Sequence, residues 1–282
     1  MKVLPFKIPK PEYDALVYQE DIGNSFYDKL HQHEEIQISL IFEGEGTLIV
    51  GDTINYYKPN TILVIGGNLP HIFKSDTNTN NKSVMLSLFF TKSSFGNHFF
   101  ELEEMRALQP FFKRATHGFK MITQQKKAKK LFLKLKKANK LNRFLILIEL
   151  LKIAATCRYK SLSSFIYEKQ FSDNEGNRMR NVFGFTMSNY RREIYLEDVA
   201  EIANMTKNAF CKYFKKRTNK TYFQFLSELR IEHASKLLLS ENNYSISEIA
   251  FESGYKNISN FNRQFKTVKK CSPSNYKRKT NL

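Results

Sequence analysis

The chain has 282 residues, enough for two domains with cores of their own, and 41% of them are hydrophobic, an ordinary share for a globular protein. Its net charge of +18 is not ordinary and is unevenly spread: residues 1–125 net −2, residues 126–176 net +9, and residues 177–282 net +11. Three scattered cysteines (Cys157, Cys211, Cys271) exclude a disulfide framework or a cysteine zinc site, and the most apolar run, residues 144–151, is far short of the roughly 20 residues that span a bilayer. The start, Met1-Lys2-Val3-Leu4-Pro5, lacks the apolar core of a signal peptide. The expectation is a cytoplasmic protein with no membrane partner, in which a near-neutral sensor is joined to a binder of polyanions.

Residues 1–100 read as mostly strand. Residues 36–42 and 47–50 are β-branched and flank the turn Glu43-Gly44-Glu45-Gly46. Residues 62–65 precede Gly66-Gly67-Asn68-Leu69-Pro70, a second turn cluster. Residues 84–90 form a further strand, and the polar stretch 75–82 reads as a hairpin loop. Short strands with regular turn signals predict an antiparallel barrel or sandwich.

The pattern changes near residue 100. Residues 99–108 read as a short helix stopped by Pro110. Residues 126–137 alternate lysine pairs with Leu131, Phe132, Leu133 and Leu135, a basic amphipathic pattern best read as a solvated helix face. Residues 142–155 place Leu145, Ile148 and Leu151, or alternatively Ile148, Leu151 and Ala155, on one helical side. Residues 101–171 are thus expected to be a helical linker and dimerisation region, with Leu145, Ile148 and Leu151 as its homodimer contact. Ser172-Asp173-Asn174-Glu175-Gly176-Asn177 reads as the inter-domain linker.

From residue 178 the chain reads as all helix, and it repeats itself. Val199-Ala200 matches Ile249-Ala250 at an offset of 50, while Phe210 and Phe214-Lys215 match Phe261 and Phe265-Lys266 at an offset of 51. Each copy reads as helix, tight turn, basic helix. Thr206 caps the second helix of the first copy, and Ser245 with Glu248 forms a capping box in the second. Gly254 supplies a positive φ at the turn, and Pro273 ends the last element. Phe210 and Phe214, then Phe261 and Phe265, face inward. Lys207, Asn208, Cys211, Lys212 and Lys215 face outward in the first copy, as do Ile258, Ser259, Asn262, Arg263 and Lys266 in the second. A helix of about 20 residues between the copies spans ~30 Å. One duplex turn is roughly 34 Å, so both basic helices could enter successive major grooves on one face of DNA.

On these residues the chain resembles the AraC/XylS family of bacterial transcription regulators over residues 178–278. The matching positions are Arg230-Ile231, Ala234, Ile246, Ile249-Ala250, Gly254-Tyr255, Phe261, Arg263, Phe265-Lys266, Ser272-Pro273 and Tyr276-Lys277-Arg278. The resemblance implies base-reading positions at Asn208, Cys211, Lys212, Ile258, Ser259, Asn262 and Arg263. Arg263 suits guanine and Asn262 suits adenine. Lys212 stands where the family usually has arginine and so lacks the planar fork; Cys211 reads equally well as a half-buried filler. Lys207, Lys215, Lys216 and Lys266 are expected on phosphates, where they position without specifying.

His31-x-His33-Glu34-Glu35-Ile36, Gly44-x-Gly46, Pro59 and Pro70-His71 resemble the small cupin-like β-barrel of ligand-responsive members of that family. This implies an effector pocket at His31, His33, Gln37 and His71. Catalytic cupins place metal ligands at these positions, but Gln37 stands where their acid would be, so no metal or other cofactor is expected. The whole reads as a multidomain α+β protein: a cupin-like barrel at 1–100, a helical region at 101–171, and a tandem helix-turn-helix domain at 178–282. The function it implies is a sequence-specific transcription regulator, more often an activator in this family, not an enzyme. Its expected partners are double-stranded DNA, RNA polymerase, a small-molecule effector and a second copy of itself. A metal-dependent cupin enzyme with an accessory DNA module is the alternative.

Overall fold

The computed structural model describes residues 14–76, 82–164, 172–240 and 244–280. The opening residues 1–5 and most of the 75–82 loop therefore lie outside the described residues. Two compact units divide the chain, Met1–Asn177 and Arg178–Leu282.

The first unit carries β1 (Val17–Gly23), β2 (Ile36–Glu43), β3 (Gly46–Val50), β4 (Thr53–Tyr57), β5 (Ile62–Ile65), β6 (His71–Ser75), β7 (Ser83–Phe90), β8 (Phe119–Met121) and β9 (Tyr159–Ser161). They form two antiparallel sheets, ordered β1-β7-β2-β5-β8-β9 and β4-β3-β6. β2 and β3, on either side of the 43–46 turn, lie in different sheets. So do β6 and β7. The true tight hairpin is β3–β4, closed by Gly51 (φ +56) and Asp52 between paired Val50 and Thr53.

Alternation explains the layers. Ile36, Ile38 and Leu40 of β2 enter one core with Ile62 and Val64 of β5. Ile41, Leu63 and Ile65 enter the other, with Leu48, Val50, Tyr57 and Phe73 from the smaller sheet. β5 is thus covered on both faces, and it reads as an unbroken apolar run for that reason.

The helices of this unit are α1 (Gln109–Ala115), α2 (Gln125–Leu135) and α3 (Lys140–Thr156). Two 3₁₀ turns, Phe99–Glu101 and Glu103–Leu108, replace the expected 99–108 helix. Pro110 sits at the first turn of α1 and opens it, because a missing N–H costs nothing there. The described residues of the 101–171 region pack into the first unit. Phe111, Phe112, Phe132, Leu147 and Leu151 share one core with β2 and β7, and β8 and β9 extend the sheet itself. The expected dimer trio is corrected by the same packing. Leu151 is fully buried in that core and Ile148 is half-buried against it, whereas Leu145 is 54% exposed. Six residues along a helix turn the side chain by about 240°, so Leu145 and Leu151 do not share a face.

The second unit is helical: α4 (Asp173–Asn189), α5 (Leu196–Ile202), α6 (Lys207–Thr218), α7 (Tyr222–Leu239), α8 (Ile246–Glu252), α9 (Ile258–Lys269) and α10 (Pro273–Thr280). The expected linker at 172–177 is instead the start of α4. The Glu175 amide donates to the Ser172 hydroxyl at 3.3 Å, while the Glu175 carboxylate reaches back to the Ser172 amide. α9 stops one turn before Pro273, at Lys270 (φ +60), and Pro273 opens α10.

α7 is the spine. Its first half buries Tyr222, Phe225 and Leu226, where Phe183 lies 4.9 Å from Phe225 and Phe214 lies 5.4 Å from Tyr222. Its second half buries Ile231, Ala234 and Leu238 with Ile249, Ala250, Tyr255, Phe261 and Phe265. Two small cores on one helix hold the two repeats. The helix runs 18 residues and ends at Leu239, so the expected end at Glu241 lies outside the described residues.

Candidate nucleic-acid interface

The repeat holds down to single hydrogen bonds. The amide of Ala203 donates to Val199 O and that of Ser253 to Ile249 O, each at 3.1 Å. Met205 N reaches Ala200 O at 2.9 Å, and Tyr255 N reaches Ala250 O at 3.0 Å. Asn204 (φ +51) and Gly254 (φ +85) are the equivalent left-handed turn residues. The first helices are offset by 50 and the second by 51, because the second turn, 253–257, holds one residue more than the first, 203–206.

Caps fix where each second helix starts. Thr206 accepts from the Ala209 amide, and Asn257 accepts from Ser259 N at 2.7 Å and Asn260 N at 3.1 Å. Ser245 and Glu248 form the reciprocal box that begins α8.

With Phe210 and Phe214 fully buried, α6 turns Lys207, Asn208, Cys211, Lys212, Lys215 and Lys216 to solvent. With Phe261 and Phe265 fully buried, α9 turns out Ile258, Ser259, Asn262, Arg263 and Lys266. Every residue expected to read bases or hold phosphates is thus exposed. Cys211 is among them, which removes its reading as a half-buried filler.

The structure adds partners that outward-facing patterns do not reveal. Lys207 is held by Glu197 at 2.6 Å, and that hydrogen bond lowers the Glu197 carboxyl below its usual range. The Arg263 guanidinium donates to Asn260 Oδ1 at 3.0 Å, which steadies it at the face of α9. Arg230, the matched residue without an assigned task, is a clamp: it donates to Tyr190 O and to Arg192 O, each at 2.7 Å. Beside it, burial and then the Arg191 charge push His233 down to about 4. The neutral imidazole accepts from Arg191 through Nε2 at 3.0 Å.

In the first unit the expected pocket residues come together. His31, His33, Gln37 and His71 are all buried, and a ring nitrogen of each histidine lies within 4.8 Å of the others. His31 and His71 form a backbone bridge, donating to each other's carbonyls at 3.1 and 2.9 Å. His33 sits just ahead of β2, where its carbonyl accepts from Asn68 N at 2.7 Å. Gln37 Oε1 lies 3.2 Å from His33 Nε2, and Gln37 Nε2 donates to Ser39 Oγ, which meets Ser87 Oγ at 2.8 Å. The two serines extend the site, and sequence reasoning missed them. Their signal was period-two polarity inside an apolar strand, Ile36-Gln37-Ile38-Ser39-Leu40. Among the described residues, no helix is long and apolar enough to cross a membrane.

Comparison with known proteins agrees with this geometry. A family model described as "Helix-turn-helix domain" matches residues 199–279. YdeC of Bacillus subtilis, an HTH-type transcriptional regulator, is 24% identical over 281 residues, covering 96% of this chain and 92% of YdeC. The HTH-type transcriptional activator RhaR of Mannheimia succiniciproducens is 24% identical over 256 residues, covering 88% and 86%. A solved structure described as a probable AraC family transcriptional regulator from Rhodopseudomonas palustris is 21% identical, covering 36% of this chain and 96% of its own, with a TM-score of 0.35. The C-terminal region is thus an AraC-type helix-turn-helix domain, and along its length the chain is similar to DNA-binding transcriptional regulators.

Proposed function

We propose that this regulator reads one duplex site with α6 and α9 in successive major grooves, and that it activates transcription from that site. The observation that carries the reading is the pair of exposed polar faces, one per repeat, set on a single shared helix. At 1.5 Å per residue the 18-residue α7 is ~27 Å long, against roughly 34 Å for a duplex turn. Asn208, Cys211, Lys212, Ile258, Ser259, Asn262 and Arg263 then face base edges, and Lys207, Lys215, Lys216 and Lys266 face phosphates. Lys207 exchanges Glu197 for a phosphate on binding. Mapping of genomic fragments bound by the purified protein gives the site, and a matched duplex should outcompete a scrambled one ~1000-fold or more. Equal affinity for both would reduce the protein to a non-specific binder.

The lysines carry the salt dependence. Each phosphate contact contributes about 0.9 to the slope of log affinity against log salt. Lys215→Ala with Lys216→Ala should therefore flatten that slope by nearly 2 on target and scrambled duplexes alike, measured by fluorescence anisotropy across a salt series.

The first unit supplies regulation in this reading. Its two sheets form a cupin-like barrel with His31, His33, Gln37 and His71 as the effector site, and occupancy there biases how the DNA-binding units are placed. The protein acts in the cytoplasm as a homodimer that contacts RNA polymerase. Leu145 and its neighbour Leu141, 54% and 67% exposed on α3, are the apolar surface offered to a second copy. Leu145→Glu should shift the protein from dimer to monomer in light scattering at micromolar concentration, with its thermal midpoint unchanged because the side chain is outside the core. A dimer that survives this change places the interface elsewhere. Adding protein to RNA polymerase and a template bearing the mapped site should raise transcript yield; a fall would make it a repressor.

A further inference from the structure

We infer that the first unit carries a DNA-backbone contact of its own: a lysine face on α2 that holds the duplex flanking the site read by the helical unit. The inference rests on the reading of the helical unit as a reader of one duplex site and adds a second contact to it.

Charge is the first observation. Between Glu104 and Glu149 the chain has thirteen lysines and arginines and no carboxylate side chain. A solvated helix face usually mixes signs, with acids spaced to pair with lysines one turn away. α2 (Gln125–Leu135) has five lysines and no acid.

Packing sorts those lysines. Ala128, Phe132 and Leu135 are fully buried in the core of the unit. At 3.6 residues per turn, Lys126, Lys127, Lys130 and Lys134 then share one arc of roughly 100° on the opposite side. All four are exposed, and among the described residues none of them forms an ion pair. Lys129 and Lys136 lie to the side of that arc and are engaged, with the Asn60 side chain and with Glu20. Lys130 stands four residues from both Lys126 and Lys134, so like charges repel along the face and weaken the helix. A polyanion laid on the face relieves that repulsion.

The dimensions suit a row of phosphates. Lys127 to Lys134 spans ~10 Å at 1.5 Å per residue, and a duplex carries one charge per ~1.7 Å of its axis. Through Lys129 and Asn60 the basic surface runs on towards Lys58. On β8, burial and then the charges of Lys160 and Lys58 hold the Lys120 ammonium below the usual lysine range. An anionic membrane is the poorer partner, because a helix lying in a lipid interface inserts its apolar face, and here that face is spent in the core. Duplex DNA is also the polyanion at hand. Once the helical unit holds its site, flanking duplex is presented to the first unit at high effective concentration, so a weak contact is filled.

The test uses the full chain and two duplexes with the same mapped site, one trimmed to the site and one extended by ~20 base pairs of unrelated sequence on each side. Fluorescence anisotropy across a salt series reads both. The wild type should bind the extended duplex ~10-fold tighter at low salt, with a slope of log affinity against log salt steeper by about 3. Lys127→Gln, Lys130→Gln and Lys134→Gln together should abolish that difference and leave binding of the trimmed duplex within about twofold. Arginine at the same three positions should keep it. The glutamine triple should melt at or slightly above the wild-type midpoint, because it removes repulsion, so lost binding is not lost folding. Should it melt early, the milder Lys126→Gln, Lys134→Gln pair carries the same comparison. Equal slopes for the two duplexes in the wild type, or a folded triple that keeps the difference, would overturn the proposal. So would a triple that binds both duplexes like the parent but no longer sediments with phosphatidylserine vesicles, which would make a membrane the partner. An extended scrambled duplex separates the two readings. If the wild type binds it as tightly as the target, site reading fails, while the contrast between wild type and triple on that duplex still decides the lysine face.

Discussion

The double substitution Asn262→Ala, Arg263→Ala should remove most of the protein's preference for its site while leaving its grip on scrambled duplex nearly intact. A bidentate pair of either kind contributes about 1–3 kcal/mol of discrimination, and ~2 kcal/mol is roughly 30-fold. Two such contacts approach 1000-fold, less whatever coupling the adjacent residues share. The fold should not respond. Both side chains are exposed on α9, whose packing rests on the buried rings of Phe261 and Phe265. Arg263 bonds only the exposed Asn260 side chain among the contacts shown, so its loss leaves no buried group orphaned. The first repeat predicts an unequal counterpart. Cys211 offers a weak donor, and Lys212 a point charge without a fork, so their alanine variants should cost site and scrambled duplex alike. Competition binding with both duplexes checks the contrast. Unchanged preference in the double variant would move specificity to the first repeat or to DNA shape.

The repeat was legible because it is written in burial-period positions: Val199-Ala200 and Ile249-Ala250, Phe210/Phe214 and Phe261/Phe265. Those residues could be aligned without knowing the fold, and the outward faces followed by subtraction. What stayed hidden depended on partners distant in sequence. Arg230 became a clamp only once α7 lay beside residues 190–192. Leu151 looked like the stripe mate of Leu145 because nothing in a helical pattern tells which side a sheet will cover. β1, Val-Tyr-Gln-Glu-Asp-Ile-Gly, was missed because an edge strand with polar side chains gives no apolar signal. Pro110 and Pro273 were read as stops, yet proline is equally at home in a first turn, and only the next helix decides. The histidines were found by spacing. The Ser39–Ser87 contact beside them was not, since it joins residues 48 apart on two strands.

Gly254→Ala should be far more damaging than Asn204→Ala, although the two residues hold the same place in the two turns. Asn204 already has a side chain at φ +51, so alanine there costs about 1–2 kcal/mol of left-handed strain. Gly254 carries the same strain at φ +85 and a steric penalty besides. A Cβ there would lie 2.7 Å from Tyr190 O and 2.8 Å from Arg191 O, both backbone atoms. The Tyr190 carbonyl cannot retreat cheaply, because Arg230 holds it together with the carbonyl of Arg192, which follows Arg191 in the chain. The combined cost is about 3 kcal/mol or more, within the range that strained backbone and overpacking each supply. For a unit of this size that lowers the midpoint of the helical domain by roughly 12 °C or more. The loss should be local first. Amides of α8 and α9 should exchange with solvent faster, those of α5 and α6 much less, and site-specific binding should fall with the second reader misplaced. Arg230→Ala frees the Tyr190 carbonyl and loosens the residues beside it, so the double variant should be less destabilised than the sum of the singles. Strict additivity, or a Gly254→Ala protein that melts and binds like the parent, would mean the 190–192 loop yields freely and the clamp does not hold the turn.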